Sequence, residues 1–105
     1  MPERTHPTQA DEALRRVQTH PSHAANFLTT IVHALSDRRI ARQPLTTAHW
    51  CAATDAAVAR VLAGLCQHAA ADTVVAAFSG MPPLRDGETC GERAIILQAT
   101  ARALR

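Results

Sequence analysis

The sequence predicts an all-α protein, and three observations support this prediction. Apolar residues recur at helical spacing in several segments, prolines and glycines separate these segments, and β-branched residues never alternate with polar ones for long. The chain has 105 residues, of which 47% are hydrophobic and 19% charged, a composition typical of one globular domain. We therefore expect a single domain over residues 1–105, built as a compact bundle or orthogonal array of four to five helices.

Two helices are predicted in the N-terminal half. Residues 1–7 contain two prolines and are expected to be loose, and Thr8 follows as the N-cap of a short helix that ends near His20. In the second helix, the apolar residues recur at the spacing of one buried face: Phe27, Leu28, Ile31, Val32 and Leu35. Arg38 and Arg39 fall in its predicted last turn, where cations suit the negative end of the helix dipole.

The longest predicted helix covers residues 48–70 and is expected to lie at the centre of the bundle. One face carries larger apolar residues, namely Trp50, Val58, Val61, Leu62 and Leu65. Roughly opposite runs a stripe of small residues: Ala52, Ala56, Ala59, Ala63, Cys66 and Ala70. A helix that is apolar on two sides is usually packed between two neighbours, so both faces are expected to make contacts. Gly64 interrupts the segment and indicates a bend or a close helix crossing.

The C-terminal third is predicted to contain a short helix, a loop and a last helix. Asp72 is the predicted cap of the short helix, which runs through Phe78. Residues 80–88 contain two prolines and two glycines and are predicted to form a loop, either a binding element or a plain connector. Residues 89–92 have the T-x-x-E form of a capping box and start a helix with one apolar face: Leu97, Ala101 and Leu104.

Cysteine and histidine are the residues of this chain that could support thiol or metal chemistry. Cys90 is predicted at the start of the last helix, where the positive dipole end would lower its pKa, whereas Cys66 is expected to be buried and inert. On one straight helix, Cys51 and Cys66 would lie about 22 Å apart and could not share a metal ion. His20 and His23 could supply two ligands, but no spacing indicates the four ligands of a zinc site. We predict no metal, no cofactor and no catalytic residue.

A cluster of three arginines, Arg38, Arg39 and Arg42, is the best candidate for contacts with nucleic acid, and Arg15 and Arg16 could extend it. Arginine side chains bind phosphates, but the net charge of +2 is too small to imply a polyanionic partner. The few aromatic residues are expected in the core and so form no platform for stacking bases. Neither a P-loop nor a dinucleotide-binding fingerprint is present.

The leading functional prediction is a small, non-enzymatic accessory or regulatory protein that binds another protein or itself, most simply as a homodimer. The predicted contact residues are part of the small-residue stripe and two isoleucines: Ala52, Ala56, Ala59, Ala63, Ile95 and Ile96. This interpretation requires residues 48–70 to form one helix whose small-residue side is covered. The alternatives are a nucleic-acid-associated regulator that uses the arginine cluster, and a small enzyme or metal-binding protein that uses cysteine and histidine.

The sequence also predicts the cellular compartment of the protein. No window reaches the roughly 18 apolar residues of a membrane-spanning helix, and residues 1–11 lack the apolar run of a signal peptide. Three widely spaced cysteines fit reduced thiols better than a disulfide framework. We therefore expect a soluble, cytoplasmic protein that does not contact a membrane.

Overall fold

The computed structural model describes residues 22–79 and 81–104, which form four helices and no strand. The helices are α1 (Ser22–Leu35), α2 (Thr47–Gly64), α3 (Gln67–Ser79) and α4 (Cys90–Ala103). The all-α prediction is therefore confirmed for this part of the chain. The predicted helix from Thr8 to His20 lies outside the described residues.

The central helix of the fold is α1, because it packs against each of the other three helices. Its most extensive contact is with α4. The five apolar residues that the sequence placed on one face are all buried, together with two neighbouring alanines: Phe27, Leu28, Ile31, Val32, Leu35, Ala24 and Ala25. The predicted buried face of this helix is thus confirmed, whereas the predicted central position of residues 48–70 is wrong.

The single helix predicted over residues 48–70 does not form, because the chain reverses direction between α2 and α3. Leu65, directly after Gly64, has an extended backbone with φ −132° and ψ 160°. The amide of Ala70 then donates to the carbonyl oxygen of Cys66, 2.9 Å away, in the first turn of α3. Glycine is a weak helix former, so the bend indicated by Gly64 is the point at which α2 ends.

The reversal turns α2 and α3 into a helical hairpin that packs on α1. The ring of Phe78 lies between those of Phe27 and Trp50, with centroid distances of 5.5 and 6.4 Å and edge-to-face angles of 74° and 73°. Aromatic pairs prefer this arrangement. Asp72 lies inside α3, which already begins at Gln67, so its predicted role as a helix cap is wrong.

The capping box predicted for α4 is confirmed. The Thr89 hydroxyl accepts a hydrogen bond from the Glu92 amide at 3.1 Å, and the Glu92 carboxylate accepts one from the Thr89 amide at 2.8 Å. The predicted apolar face also packs as expected, with Leu97 and Ala101 buried and Leu104 against the core. None of the helices in the described residues is long and apolar enough to cross a membrane.

The connection between α1 and α2 accepts hydrogen bonds from the first turn of α4. The amide of Cys90 donates to the carbonyl oxygen of Gln43 at 3.0 Å, and that of Gly91 donates to the carbonyl oxygen of Ala41 at 2.9 Å. These two amides have no partner within their own helix, so the connection supplies one. A β-carbon on Gly91 would lie only 3.1 Å from the Ala41 oxygen, and glycine permits this close approach.

Candidate functional site

The small-residue stripe predicted as a contact surface lies on the outside of α2. The four alanines of the prediction are all exposed: Ala52, Ala56, Ala59 and Ala63. The alanines that α2 buries are Ala53 and Ala57 instead. Because the helix is broken and the small-residue side is uncovered, the sequence-based argument for docking fails. On α4, Ile95 is 73% exposed and Ile96 is half-buried.

A groove of about 390 Å³ runs between α2 and α3, and this groove supplies an independent candidate site. Its walls are mostly apolar, and they come from Val58 and Leu62 of α2 and from Gln67, Ala70, Ala71, Val74 and Val75 of α3. No residue of α1 or α4 is part of the lining, so in the described residues the hairpin alone forms the groove. Its volume falls within the range typical of ligand sites, about 300–1,000 Å³.

Two large apolar side chains stand exposed beside this groove. Leu62 is 52% exposed and Val75 is 65% exposed, although the sequence predicts that the apolar face with Leu62 packs against a neighbouring helix. Single exposed apolar residues are ordinary on a protein surface, but a contiguous patch around a concave site is typical of an interaction surface. The groove with Leu62 and Val75 at its rim is here called the hairpin groove.

A second cleft, between α1 and α2, has a different chemical character. It measures about 530 Å³ and is lined in part by His23, His33 and Arg60. In residues 22–79 and 81–104, no three histidine, cysteine, aspartate or glutamate side chains are placed to hold a metal ion. His20, which the sequence paired with His23, lies outside this part of the chain.

Two of the three cysteines, Cys66 and Cys90, differ from their sequence-based predictions. Cys90 is completely buried, and burial raises its pKa although a backbone hydrogen bond at the helix start opposes this effect. The lowered pKa expected for Cys90 from its place at the start of the helix is therefore wrong. Cys66, predicted to be buried, is exposed in the turn between α2 and α3, and Cys51 is exposed on α2.

Thiol labelling of the folded protein is expected to modify Cys51 and Cys66 rapidly and Cys90 slowly. The thiolate is the reactive form, and Cys90 combines lack of solvent access with a raised pKa. The number of reacted thiols, followed by absorbance with an aromatic disulfide reagent, should show a fast phase of two groups. The third group should react only when denaturant is added, and rapid reaction of all three thiols in the native protein would contradict the buried position of Cys90.

The arginine cluster lies on the connection after α1, because that helix ends at Leu35 and not at Arg39. Arg38, Arg39 and Arg42 are all exposed. Arg39 Nη2 lies 3.0 Å from a carboxylate oxygen of Asp37, and its hydrogen bonds lower the pKa of Asp37 to about 2. Asp37 thus balances the charge of one of the three arginines, which weakens the cluster as a phosphate-binding surface.

A buried ion pair between Glu88 and Arg93 was missed by sequence reasoning. The Arg93 side chain is 0% exposed and that of Glu88 only 1%. Arg93 Nε lies 2.6 Å from Glu88 Oε2, and Nη2 donates to Glu88 Oε1 at 2.8 Å. One signal was present in the sequence: Arg93 precedes Leu97 and Ala101 at helical spacing and therefore lies on the apolar face of α4.

The same pair ties residues 81–88 to α4. The Arg93 guanidinium donates to the carbonyl oxygens of Pro82 and Pro83 at 3.0 and 2.9 Å, and the Arg85 amide donates to Glu88 at 3.1 Å. Burial alone raises the pKa of Glu88, but the hydrogen bonds from Arg93 and the Arg85 amide outweigh it and leave this pKa below its usual value. The carboxylate therefore stays ionised inside the protein.

No protein-family model, curated protein or solved structure matches this chain. The roles of the buried ion pair and of the hairpin groove are therefore inferred from their own residues. Glu88 and Arg93 are sealed from solvent, so their contacts hold the fold together. The hairpin groove, in contrast, offers accessible apolar area to a ligand.

Proposed function

We propose that this chain is a small, non-enzymatic accessory protein that binds a protein surface in the hairpin groove. The observation that supports this proposal is the combination of an apolar groove with two exposed apolar side chains at its rim, Leu62 and Val75. Binding would remove these side chains from water, which is favourable by about 25 cal/mol per Å² of apolar area. A partner with an apolar ridge, such as one face of an amphipathic helix, has the shape that such a groove accepts.

The proposed surface overlaps part of the contact surface predicted from sequence. Ala59 lies one turn before Leu62 on the exposed side of α2, so a partner that covers Leu62 would also contact Ala59. Ile95 and Ile96 belong to α4, which does not line the groove. Of the predicted contact residues, the proposal therefore retains Ala59 and leaves out Ala52, Ala56, Ala63, Ile95 and Ile96.

The experiment is a purification of tagged protein from its native cells, with wild type compared to two variants. The test variant is the double replacement Leu62→Glu and Val75→Glu, and the control is Ile95→Glu, which places the same charge on an exposed apolar residue away from the groove. We expect wild type and control to retain the same partner, and the double variant to retain about a tenth as much or less. Equal retention by all three proteins would contradict the proposal, as would a loss caused by Ile95→Glu alone.

A further inference from the structure

The polar cleft between α1 and α2 is lined on one wall by a stripe of α1 side chains. Its members are spaced three or four residues apart and therefore share one face of the helix: His23, Asn26, Thr30 and His33. The two histidines stand at opposite ends of this stripe, about 15 Å apart along the helix axis. Arg60 lies on the α2 wall. Both walls thus carry side chains that bear a positive charge or can gain one.

The basic side chains of this cleft are not balanced by acids, since none of the described lining residues is aspartate or glutamate. Other arginines of the chain lie beside a carboxylate: Arg39 at 3.0 Å, Arg85 at 3.8 Å and Arg93 at 2.6 Å. In residues 22–79 and 81–104, Arg60 forms no such ion pair. Its guanidinium can therefore bind an anion from solution, and hydrogen bonds between ionised groups are stronger than those between neutral ones.

The rest of the lining restricts the kind of anion that fits. The hydroxyls of Thr29 and Thr30 donate to carbonyl oxygens one turn earlier in α1, at 2.8 and 3.1 Å, so their protons are used within the helix. Val61 of α2 and Leu65 directly after this helix are half-buried and add apolar surface. The volume of about 530 Å³ is within the range of small-molecule sites, about 300–1,000 Å³. The lining therefore suits a ligand with both an acidic group and an apolar body.

On these grounds we infer that the cleft between α1 and α2 binds a small organic anion, with its acidic group at Arg60 and its apolar body against Val61 and Leu65. The site is separate from the hairpin groove, because the two share no lining residue, and so it does not depend on the proposed function. The titratable and charged groups of the described lining are His23, His33 and Arg60, and α3 and α4 contribute none. Because histidine gains its charge in mildly acidic solution, the anion binds more tightly there.

An NMR titration with naphthalenesulfonate, an aromatic anion that stays ionised in mild acid, tests this inference. Wild type is expected to bind it with a dissociation constant of about 1 mM at neutral pH, and the side-chain resonances of His23 and His33 follow the binding. Naphthalenesulfonamide keeps the rings without the charge, and sulfate keeps the charge without the rings. Each should bind about tenfold more weakly than the sulfonate. From about pH 7.5 to about pH 5.5, the dissociation constant of the sulfonate should fall about tenfold.

Variants of the cleft residues provide the second part of the test. Arg60→Gln is expected to raise the dissociation constant of the sulfonate about tenfold. Arg42→Gln removes an exposed arginine outside the cleft and should leave it unchanged. The double variant His23→Gln and His33→Gln should bind like wild type at about pH 7.5 and lose the tightening in acid. Because Arg60 is exposed, far-ultraviolet circular dichroism should show unchanged helix content in Arg60→Gln.

Four results would overturn the inference. They are a wild type that does not bind the sulfonate, a sulfonamide that binds equally well, equal effects of Arg60→Gln and Arg42→Gln, and a double histidine variant that keeps the full response to pH. If Leu62→Glu abolishes binding of the sulfonate while Arg60→Gln does not, the anion binds in the hairpin groove and the cleft is not its site. None of these results changes the test of the proposed function, which is made on the hairpin groove.

Discussion

Replacement of Glu88 by alanine is expected to lower the free energy of unfolding by about 3–5 kcal/mol. The variant leaves the guanidinium of Arg93 completely buried and without its anionic partner. A buried charge that loses its partner keeps the full cost of its removal from water, whereas the gain from the ion pair is gone. The carboxylate also accepts the Arg85 amide, so the turn before α4 loses a further contact. Urea denaturation, followed by circular dichroism, measures the change.

Two further variants serve as controls for this prediction. Arg85→Ala removes an exposed cation whose Nε lies 3.8 Å from the same carboxylate. It is expected to lower the free energy of unfolding by less than about 1 kcal/mol. Replacement of both members of the buried pair, with Glu88→Leu and Arg93→Met, should recover much of the stability, because no buried charge then remains unpaired. A Glu88→Ala variant as stable as Arg85→Ala would show that the pair does not hold the fold.

The ion pair also predicts how stability depends on pH. The pKa of Glu88 is lower in the folded protein than its usual value of 4.5, so the folded state favours the ionised form. Its contribution is therefore complete above pH 4.5 and is lost as the pH falls through the lower, folded-state value. The difference in stability between wild type and Glu88→Gln should be largest at neutral pH and should shrink in acid.

Replacement of Leu28 by alanine is expected to lower the free energy of unfolding by about 2–5 kcal/mol. Leu28 is fully buried on α1, the helix that packs against the other three, so removal of its side chain leaves a cavity in the middle of the core. The cost combines the lost burial of apolar surface with this cavity. Thermal and urea unfolding of the variant measure it.

The same replacement at Leu62 is the matched control, because the residue type is identical and only the burial differs. Leu62 is about half exposed beside the hairpin groove, so Leu62→Ala should lower the free energy of unfolding by less than about 1 kcal/mol. If Leu62→Ala were as damaging as Leu28→Ala, α2 and not α1 would be the centre of the core. Removal of the Leu62 side chain should therefore weaken binding in the hairpin groove, while the chain remains folded.

Local signals in the sequence predicted much of the fold. The T-x-x-E pattern at residues 89–92 predicted the start of α4, because a capping box is made by residues three apart in the chain. The spacing from Phe27 to Leu35 predicted the buried face of α1, because helical periodicity is likewise a local property. Each of these features depends on neighbours within a few residues.

The candidate site was predictable only in part, because it depends on a chain reversal. The spacing of the stripe from Ala52 to Ala70 continues across the break, so periodicity alone does not reveal that α2 stops at Gly64. A single extended residue, Leu65, brings α3 back beside α2 and creates the groove. The sequence predicts Val75 in a short separate helix and Leu62 on the larger apolar face of a long one, and it places neither at the rim of a groove.

By itself, then, the sequence determined the helical class, the caps and the inward face of α1, all of which depend on contacts close in the chain. The tertiary structure decided which residues lie inside and which outside. It exposes Cys66 and four alanines of α2 (Ala52, Ala56, Ala59 and Ala63), buries Cys90, and pairs Glu88 with Arg93 below the surface. The physical reason is that burial depends on which helices meet in space, and α2 buries only the side that carries Ala53 and Ala57. The apolar groove on the remaining side is a product of that packing.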